Sequence, residues 1–588
     1  MKKRIITLFS ILIITPCTFF ATTSCTFEDI FDHVTEEQKK LDKGKNNDGG
    51  EIREENYDFV ITPQNVTGDF RKFFQSIADK HSNILIKDGT YDIELVNGDG
   101  VKPKDGSTIT FEKNAKIIVK PNSLDVYCLI DLRGRKNITL NNPNLEGDKD
   151  KHLTSTGEWC YGINVAECSN IIINNAKISK FWGDGISIRN CSNVKIYKPV
   201  IDNNRRQGIS ITSCENVEIH DPIISNTTGT YPAFGIDVEP NFNGEHVKGL
   251  KIYNAIFRNN GTKEGSEYPA GFCLSTHMIG KALLPSNKEL VSTYFDIELI
   301  NPTFYGDALL VSTPTDFVHG KLVVKNPIFH NTRETSLYFF NHQSYNFKTE
   351  ILNPIMYNSV QRETPSIYYT PILFWCFSDR TTKTTGTQNI TIANPKIIAD
   401  DTAKYKASVI NNITNSSFTD DMKNVIIENI TQEGYDATLT NHNGNNDRNL
   451  NQRLATFSNL DKTFTLSINP KSSKLPKIKS GIEVSKTLNN AIGDFRENIK
   501  DPIIYLNDNI PISGFKLYYV NNSANKMPLS LNFGTKSAPK RKIVKRADQV
   551  QHSSSGITIP HGSHVTLVKR GSNIWEIVDT KSSKNIRY

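Results

Sequence analysis

Three segments decide the fold: Gly162-Ile-Asn-Val-Ala-Glu-Cys-Ser-Asn170, Gly185-Ile-Ser-Ile-Arg-Asn-Cys-Ser-Asn193 and Gly208-Ile-Ser-Ile-Thr-Ser-Cys-Glu-Asn216. Glycine, cysteine and asparagine all recur at a spacing of 23 and 23. Each glycine opens a short run in which apolar and polar residues alternate, the period of a β-strand. A fixed period of this size built from strands is the mark of a β-solenoid, with one turn per period. Equivalent residues then lie one above another, about 4.8 Å apart. At that spacing Asn170, Asn193 and Asn216 are expected to form a buried ladder, each amide serving the next. Cys168, Cys191 and Cys214 form a parallel column of small apolar fillers.

Outward from this stretch a second marker follows the coil. A kink closes each Asn-apolar-x-apolar strand, at Pro143, Ala176, Pro199, Pro222, Ala255, Pro302, Pro327, Pro354, Pro395 and Ile430. Proline is tolerated there because a strand boundary needs no ladder donor. The marks imply about ten turns over roughly 84–435. Columns such as Ile163/Ile186/Ile209/Ile236 should fill the core. Upstream, Gly68 to His81 has Phe70, Phe73, Phe74, Ile77 and Ala78 on one helical face. An amphipathic helix of this kind covers the open end of a solenoid.

The helix, the strand and turn at Asp88-Gly-Thr-Tyr91 and the Asn114-Ala115 turn resemble the opening of right-handed parallel β-helix proteins of the pectin-lyase-like superfamily. The resemblance spans most of 60–435 and implies an all-β, right-handed parallel β-helix. That scaffold is shared by lyases, hydrolases, epimerases and phage tailspikes, so the resemblance implies no single reaction. The polygalacturonase set is missing: there is no Gly-His-Gly, and no ordered Asn-x-Asp, Asp-Asp and Arg-x-Lys series. The pectate-lyase arginine motif is absent too. Glu239-Pro-Asn241 is only loosely similar to the Asp-Pro-His-Asp loop of alginate epimerases and lacks its histidine. No family's catalytic residues carry over.

Residues 1–24 have a basic start, an apolar run from Ile5 to Phe20 and small residues before Cys25, as an export signal does. Ala21-Thr-Thr-Ser-Cys25 resembles a bacterial lipoprotein processing site, departing from it at Thr22, where leucine is usual. The expectation is lipidation of Cys25, a flexible charged tether over 25–56, and residence as an outer-membrane or cell-surface lipoprotein of a Gram-negative bacterium. Plain secretion or a periplasmic location is the alternative. The β-helix domain is expected at 57–440, a linker rich in Asn and Gly at 441–455, and a small antiparallel β-sandwich-like domain at 456–588.

The formal charge of +7 falls to about +4 without Lys2, Lys3 and Arg4, too mild to argue for nucleic acid. The basic run Lys536 to Arg546 reads as a solvated loop. Of nine cysteines, seven remain after Cys17 and Cys25, an odd number that speaks against a disulfide framework. No Cys/His spacing specifies zinc or another metal. A monomer is expected.

Residues between the buried ones of a strand face outward. The outward grid is Asn164, then Ser187 and Arg189, then Ser210 and Thr212, then Asp237 and Glu239, then Cys273 and Ser275, with His277 just past. Asp237 and Glu239, at i and i+2, have backbones roughly 6.5–7 Å apart. The preceding loops should bring Trp182, Asp184, Arg205 and Arg206 beside them. Carboxylates, arginines and aromatics on an open face suit an extended saccharide. Asp237, Glu239 and Asp184 are the candidate catalytic groups; Arg189, Arg205, Arg206, Trp182, Tyr231, Asn241 and His277 are candidate substrate contacts. The function expected is cleavage of glycosidic bonds in a polysaccharide, by hydrolysis before β-elimination. No cofactor is specified; Ca²⁺ would enter only with lyase chemistry, through carboxylate oxygens. A non-catalytic glycan-binding or adhesive surface protein is the competing class. A solvated ion network among these charges is the structural alternative. Trp159 and His220 read as structural positions, as does His277 when taken alone, and Asp400-Asp401 and Asp420-Asp421 as polar turns.

Overall fold

A computed structural model describes residues 54–443, apart from 243, 262–268, 277–290, 363–368, 377–386, 407, 415–422 and 436, and strand segments between 456 and 577. Cys25 and His277 lie outside the described residues, as do Asp420 and Asp421.

The asparagines 23 apart do stack. The Asn170 amide donates to Oδ1 of Asn137 at 2.9 Å, Asn193 to Asn170 at 3.2 Å, and Asn216 to Asn193 at 3.4 Å. The ladder is on the surface, however, and not buried as expected. All four residues hold a left-handed backbone, φ 54–58°, which asparagine tolerates better than other side chains with a Cβ. A left-handed corner lies on the outside of the coil, where water serves whatever the ladder leaves unmet.

The kinks mark a second corner of the same kind. The residue before each kink has φ of 50–55°. Asn175 donates to Asn142 at 2.9 Å. Further along, Asn254, Asn301, Asn326, Asn353, Asn394 and Asn429 join in an unbroken series at 2.8–3.2 Å. Asp221 begins that series by accepting from Asn254 at 2.9 Å.

After each kink comes one three-residue strand. With Gly89–Ile93 and Ala115–Val119, which precede the first kink, these strands make a 12-stranded, wholly parallel sheet ending at Thr431–Glu433. This sheet alone marks twelve turns among the described residues, two more than the kinks mark. The remaining strands of each turn pair in parallel with those above and below, as Gln207–His220 does with Asp184–Tyr197. Such a stack of parallel turns is a parallel β-helix.

Its core is the column the repeat predicts. Ile163, Ile186, Ile209 and Ile236 pair in register and are fully buried. Burying each isoleucine contributes about 1.5–3 kcal/mol. Gly208 repeats because the adjoining space is taken: a Cβ there would sit 2.4 Å from Cγ2 of Ile224. Cys168, Cys191 and Cys214 are buried free thiols; Cys168 and Cys191 donate to the carbonyls of Leu132 and Val165 at 2.8 and 2.9 Å.

The predicted helix spans Phe70–Lys80. Asp69 caps it by accepting from the Lys72 amide at 2.8 Å. It buries Phe70, Phe74, Ile77 and Ala78, and Phe70 stacks on Tyr91 at 4.9 Å. At the other end, Phe464–Ile468, Ala491–Phe495 and Lys516–Asn521 still pair in parallel. The expected antiparallel pairs follow, joining Lys516–Asn521 to His564–Gly571 and Leu529–Phe533 to Gly556–Ile559.

Candidate functional site

The glycine column builds the site. Gly185 and Ile186 both point inward, as do Gly208 and Ile209, so strand alternation changes phase at each glycine. The residue before the glycine and the residue two after it then both project outward. Asp184 and Ser187 project from one turn, Gln207 and Ser210 from the next, and Phe234 and Asp237 from the third. One outward column therefore reads Asp131, Asn164, Ser187, Ser210, Asp237, Cys273, Leu310, each in register with the next. It is polar up to Asp237. Beyond that the outward face is apolar and covered: Cys273 and Leu310 are buried in a second cluster with Phe234, Tyr338 and Leu373.

At this change of character lies a groove of about 610 Å³. Of the expected residues it is lined by Asp237, Glu239, Arg189, Arg206, Asn241, Asn164, Ser187, Ser210 and Thr212. Val126, Arg133, Glu158, Trp159, Tyr161 and Phe242 also line it. Trp159 is thus a groove residue, against the structural role read for it. Its side chain is 54% exposed, and Phe242 is 57% exposed. The missed signal was the phase change at Gly162, upstream of which Trp159 and Tyr161 face outward. A register shift between Ile188 and Arg189 is a bulge of the kind found beside binding sites.

Asp184 is fully buried beneath this groove. It accepts from Arg206 Nη1 at 3.0 Å and from the Ser210 hydroxyl at 2.7 Å. Burial raises its carboxyl from the ordinary value, opposed by the Arg206 charge. Arg206 is raised in turn, chiefly by Asp184, and lies 3.6 Å from Glu158. Asp237 is 2% exposed. Burial, reinforced by the Glu239 charge, holds its carboxyl well above the usual range. Its Oδ2 accepts from Gln207 Nε2 at 2.6 Å. Glu239 is half-buried just past the end of the Ile236–Val238 strand. Thr212 Oγ1 and Arg206 Nε are buried polar atoms of the groove that make no hydrogen bond within the protein.

Two expected contacts are elsewhere, for a clear reason. Trp182 is stacked on His152 at 4.3 Å and lies beneath the Arg205 guanidinium, 4.0 Å from its ring centre. Its indole donates to the Thr156 carbonyl at 2.7 Å. Arg205 donates to the carbonyls of Gly157 at 2.6 Å and Ser155 at 3.3 Å. Both side chains are spent on holding the 152–158 loop, so neither faces the groove. Tyr231 is exposed but does not line it. His220 has the structural role expected, stacked between Tyr197 and Tyr253 at 4.8 and 4.5 Å. Asp400 likewise makes a polar turn, accepting from Thr402.

Residues 82–277, which carry this groove, match the family model described as "Right handed beta helix region". The fold is a right-handed parallel β-helix. A 72-residue stretch is 38% identical to the uncharacterized protein YclG of Bacillus subtilis (strain 168), covering 11% of this chain and 12% of that one. Among solved structures, the β-helix is similar to the A-module of mannuronan C-5 epimerase AlgE4 of Azotobacter vinelandii, at 13% identity and TM-score 0.46, over 63% of this chain and 94% of that one. It is similar to the catalytic unit of a GH87 α-1,3-glucanase of Streptomyces thermodiastaticus at 11% identity and TM-score 0.44, over 70% and 69%. It is also similar to PfbA, a surface adhesin of Streptococcus pneumoniae, at 13% identity and TM-score 0.42, over 68% and 90%. None of these likenesses transfers a residue role to the β-helix.

Proposed function

We propose that the chain is an exported enzyme that hydrolyses glycosidic bonds of a polysaccharide lying along this groove. The observation that carries the reading is Asp237, a carboxyl almost wholly removed from water beside a second, half-buried carboxyl. A carboxyl kept neutral by burial is an acid at neutral pH, while its better-solvated neighbour stays charged. The i, i+2 spacing puts the two side chains on one face, with backbones roughly 6.5–7 Å apart; inverting hydrolysis needs carboxyls roughly 6.5–9.5 Å apart, with a water between them.

In this mechanism a water attacks the anomeric carbon and gives its proton to Glu239. The bond to the bridging oxygen breaks, and that oxygen takes the proton of Asp237. Buried Asp184 keeps Arg206 oriented along the groove floor. Trp159 and Phe242 offer apolar faces for sugar rings, and Arg133 and Arg189 offer charge to acidic substituents. A neutral Asp237 is a poor base for abstracting an α-proton, which supports the hydrolytic reading over β-elimination.

Incubation with a panel of neutral and uronic-acid polysaccharides tests the reading. New reducing ends, abolished by Asp237→Asn and by Glu239→Gln, support it. Ultraviolet-absorbing unsaturated products would mean a lyase, and retention of glycan without either product would mean a binding protein. Export with lipid attachment at Cys25 belongs to the same proposal; Cys25→Ala should release the protein from membranes.

A further inference from the structure

Gln207 is fully buried next to Asp237, and neither charge nor sequence motif marks it. Its amide can be oriented in only one way. Oε1 accepts from the backbone N–H of Phe234 at 2.9 Å, so the NH₂ group must face Asp237, where it donates to Oδ2 at 2.6 Å. When the Asp237 carboxyl is protonated, the oxygen that accepts this hydrogen bond is its carbonyl oxygen, and the proton sits on the other. The other oxygen, Oδ1, is itself buried and meets no hydrogen-bond partner in the protein; the Cys273 thiol, a weak donor, also lies beside this carboxyl. Building on the hydrolytic reading of the groove, we propose that Gln207 is a positioning residue that fixes the Asp237 carboxyl and assigns its proton to the buried Oδ1.

The surroundings agree with this assignment. The charged and titratable groups around Asp237 are Glu239 on its own segment, Asp184 and Arg206 from the turns below, and Cys273 from the turn above. Of these only Arg206 favours the ionised form by its charge, and it is held by Asp184. Gln207 therefore acts by geometry: it reads the backbone of Phe234 and transmits that fixed direction to the carboxyl.

The test is infrared difference spectroscopy on the full chain, taking the protonated-carboxyl band that is lost in Asp237→Asn. Gln207→Met keeps the length but removes the donor. The Asp237 C=O band should move to higher wavenumber, because its carbonyl oxygen loses a hydrogen bond, and its titration should rise by about one pH unit or more. An unmoved band overturns the assignment. Gln207→Glu, which can still accept from Phe234, serves if the methionine variant does not fold. There the Asp237 proton should be retained to higher pH beside a second carboxyl, and an unchanged titration overturns the proposal. The two readings fail separately. A shifted band in a protein that cleaves no polysaccharide defeats the hydrolytic reading alone. Cleavage that is lost in Asp237→Asn but accompanied by an unmoved band defeats the role of Gln207 alone.

Discussion

Replacing Arg205 by alanine separates support from substrate contact. The guanidinium covers the Trp182 ring at 4.0 Å, worth about 0.5–2 kcal/mol. It also donates to Gly157 O at 2.6 Å and, at a longer 3.3 Å, to Ser155 O. A hydrogen bond to a charged group contributes about 1.5–3 kcal/mol. Counting the shorter bond in full and the longer one weakly, Arg205→Ala should loosen the 152–158 loop by about 3 kcal/mol. Because the loop is an excursion from a continuous stack of turns, the loss should be local. Hydrogen exchange should speed up by about two orders of magnitude at residues 155–159, with little change in the 185–220 strands. Trp159 and Glu158 follow that loop into the groove, so KM should rise more than kcat falls. Arg205→Lys should not rescue, since a single ammonium cannot reach both carbonyls and cover the indole. Unchanged exchange at 155–159 together with weakened substrate binding would refute this reasoning and return Arg205 to the substrate.

The Arg206–Asp184 pair is largely buried in the groove floor. Arg206→Met should therefore destabilise by about 3–5 kcal/mol in chemical denaturation, because a buried charge is orphaned, and adding Asp184→Asn should recover part of it. Asn193→Ala should cost about 1–2 kcal/mol through its left-handed backbone, whereas Asn193→Gly should cost only the ladder bonds; equal losses would contradict the account of the corner. The raised Asp237 carboxyl sets a pH dependence of definite sign. The folded state keeps its proton longer than the unfolded chain, so this contribution to stability is full at low pH and is lost as pH rises through the native value. Activity should fall over the same rise, because the acid is being deprotonated, and Asp237→Asn should flatten the stability slope measured by denaturation at several pH values.

Much of this was legible in the chain. A 23-residue period forces Asn170, Asn193 and Asn216 into a column, and the kinks at Pro143 through Ile430 mark ten of the twelve turns in the 12-stranded sheet. Strand alternation put Asp237, Glu239, Arg189 and Ser210 on one face. What could not be read was the direction of side chains in loops. Trp182 and Arg205 carry the right chemistry for a sugar, yet the carbonyls of residues 155–157 claim them. Nor does alternation alone reveal a phase change, so Trp159 was read as structural and Tyr161 was passed over, although Gly162 contained the clue. The surface placement of the asparagine ladder follows from its left-handed backbone, which a spacing does not disclose.

A crystal of Asp237→Asn soaked with an oligosaccharide from the cleaved polymer tests the central claim most directly. The account predicts a chain lying between Trp159 and Phe242, with its bridging oxygen at residue 237 and its anomeric carbon facing Glu239. Saccharide bound on another face of the β-helix, with this groove empty, would contradict it.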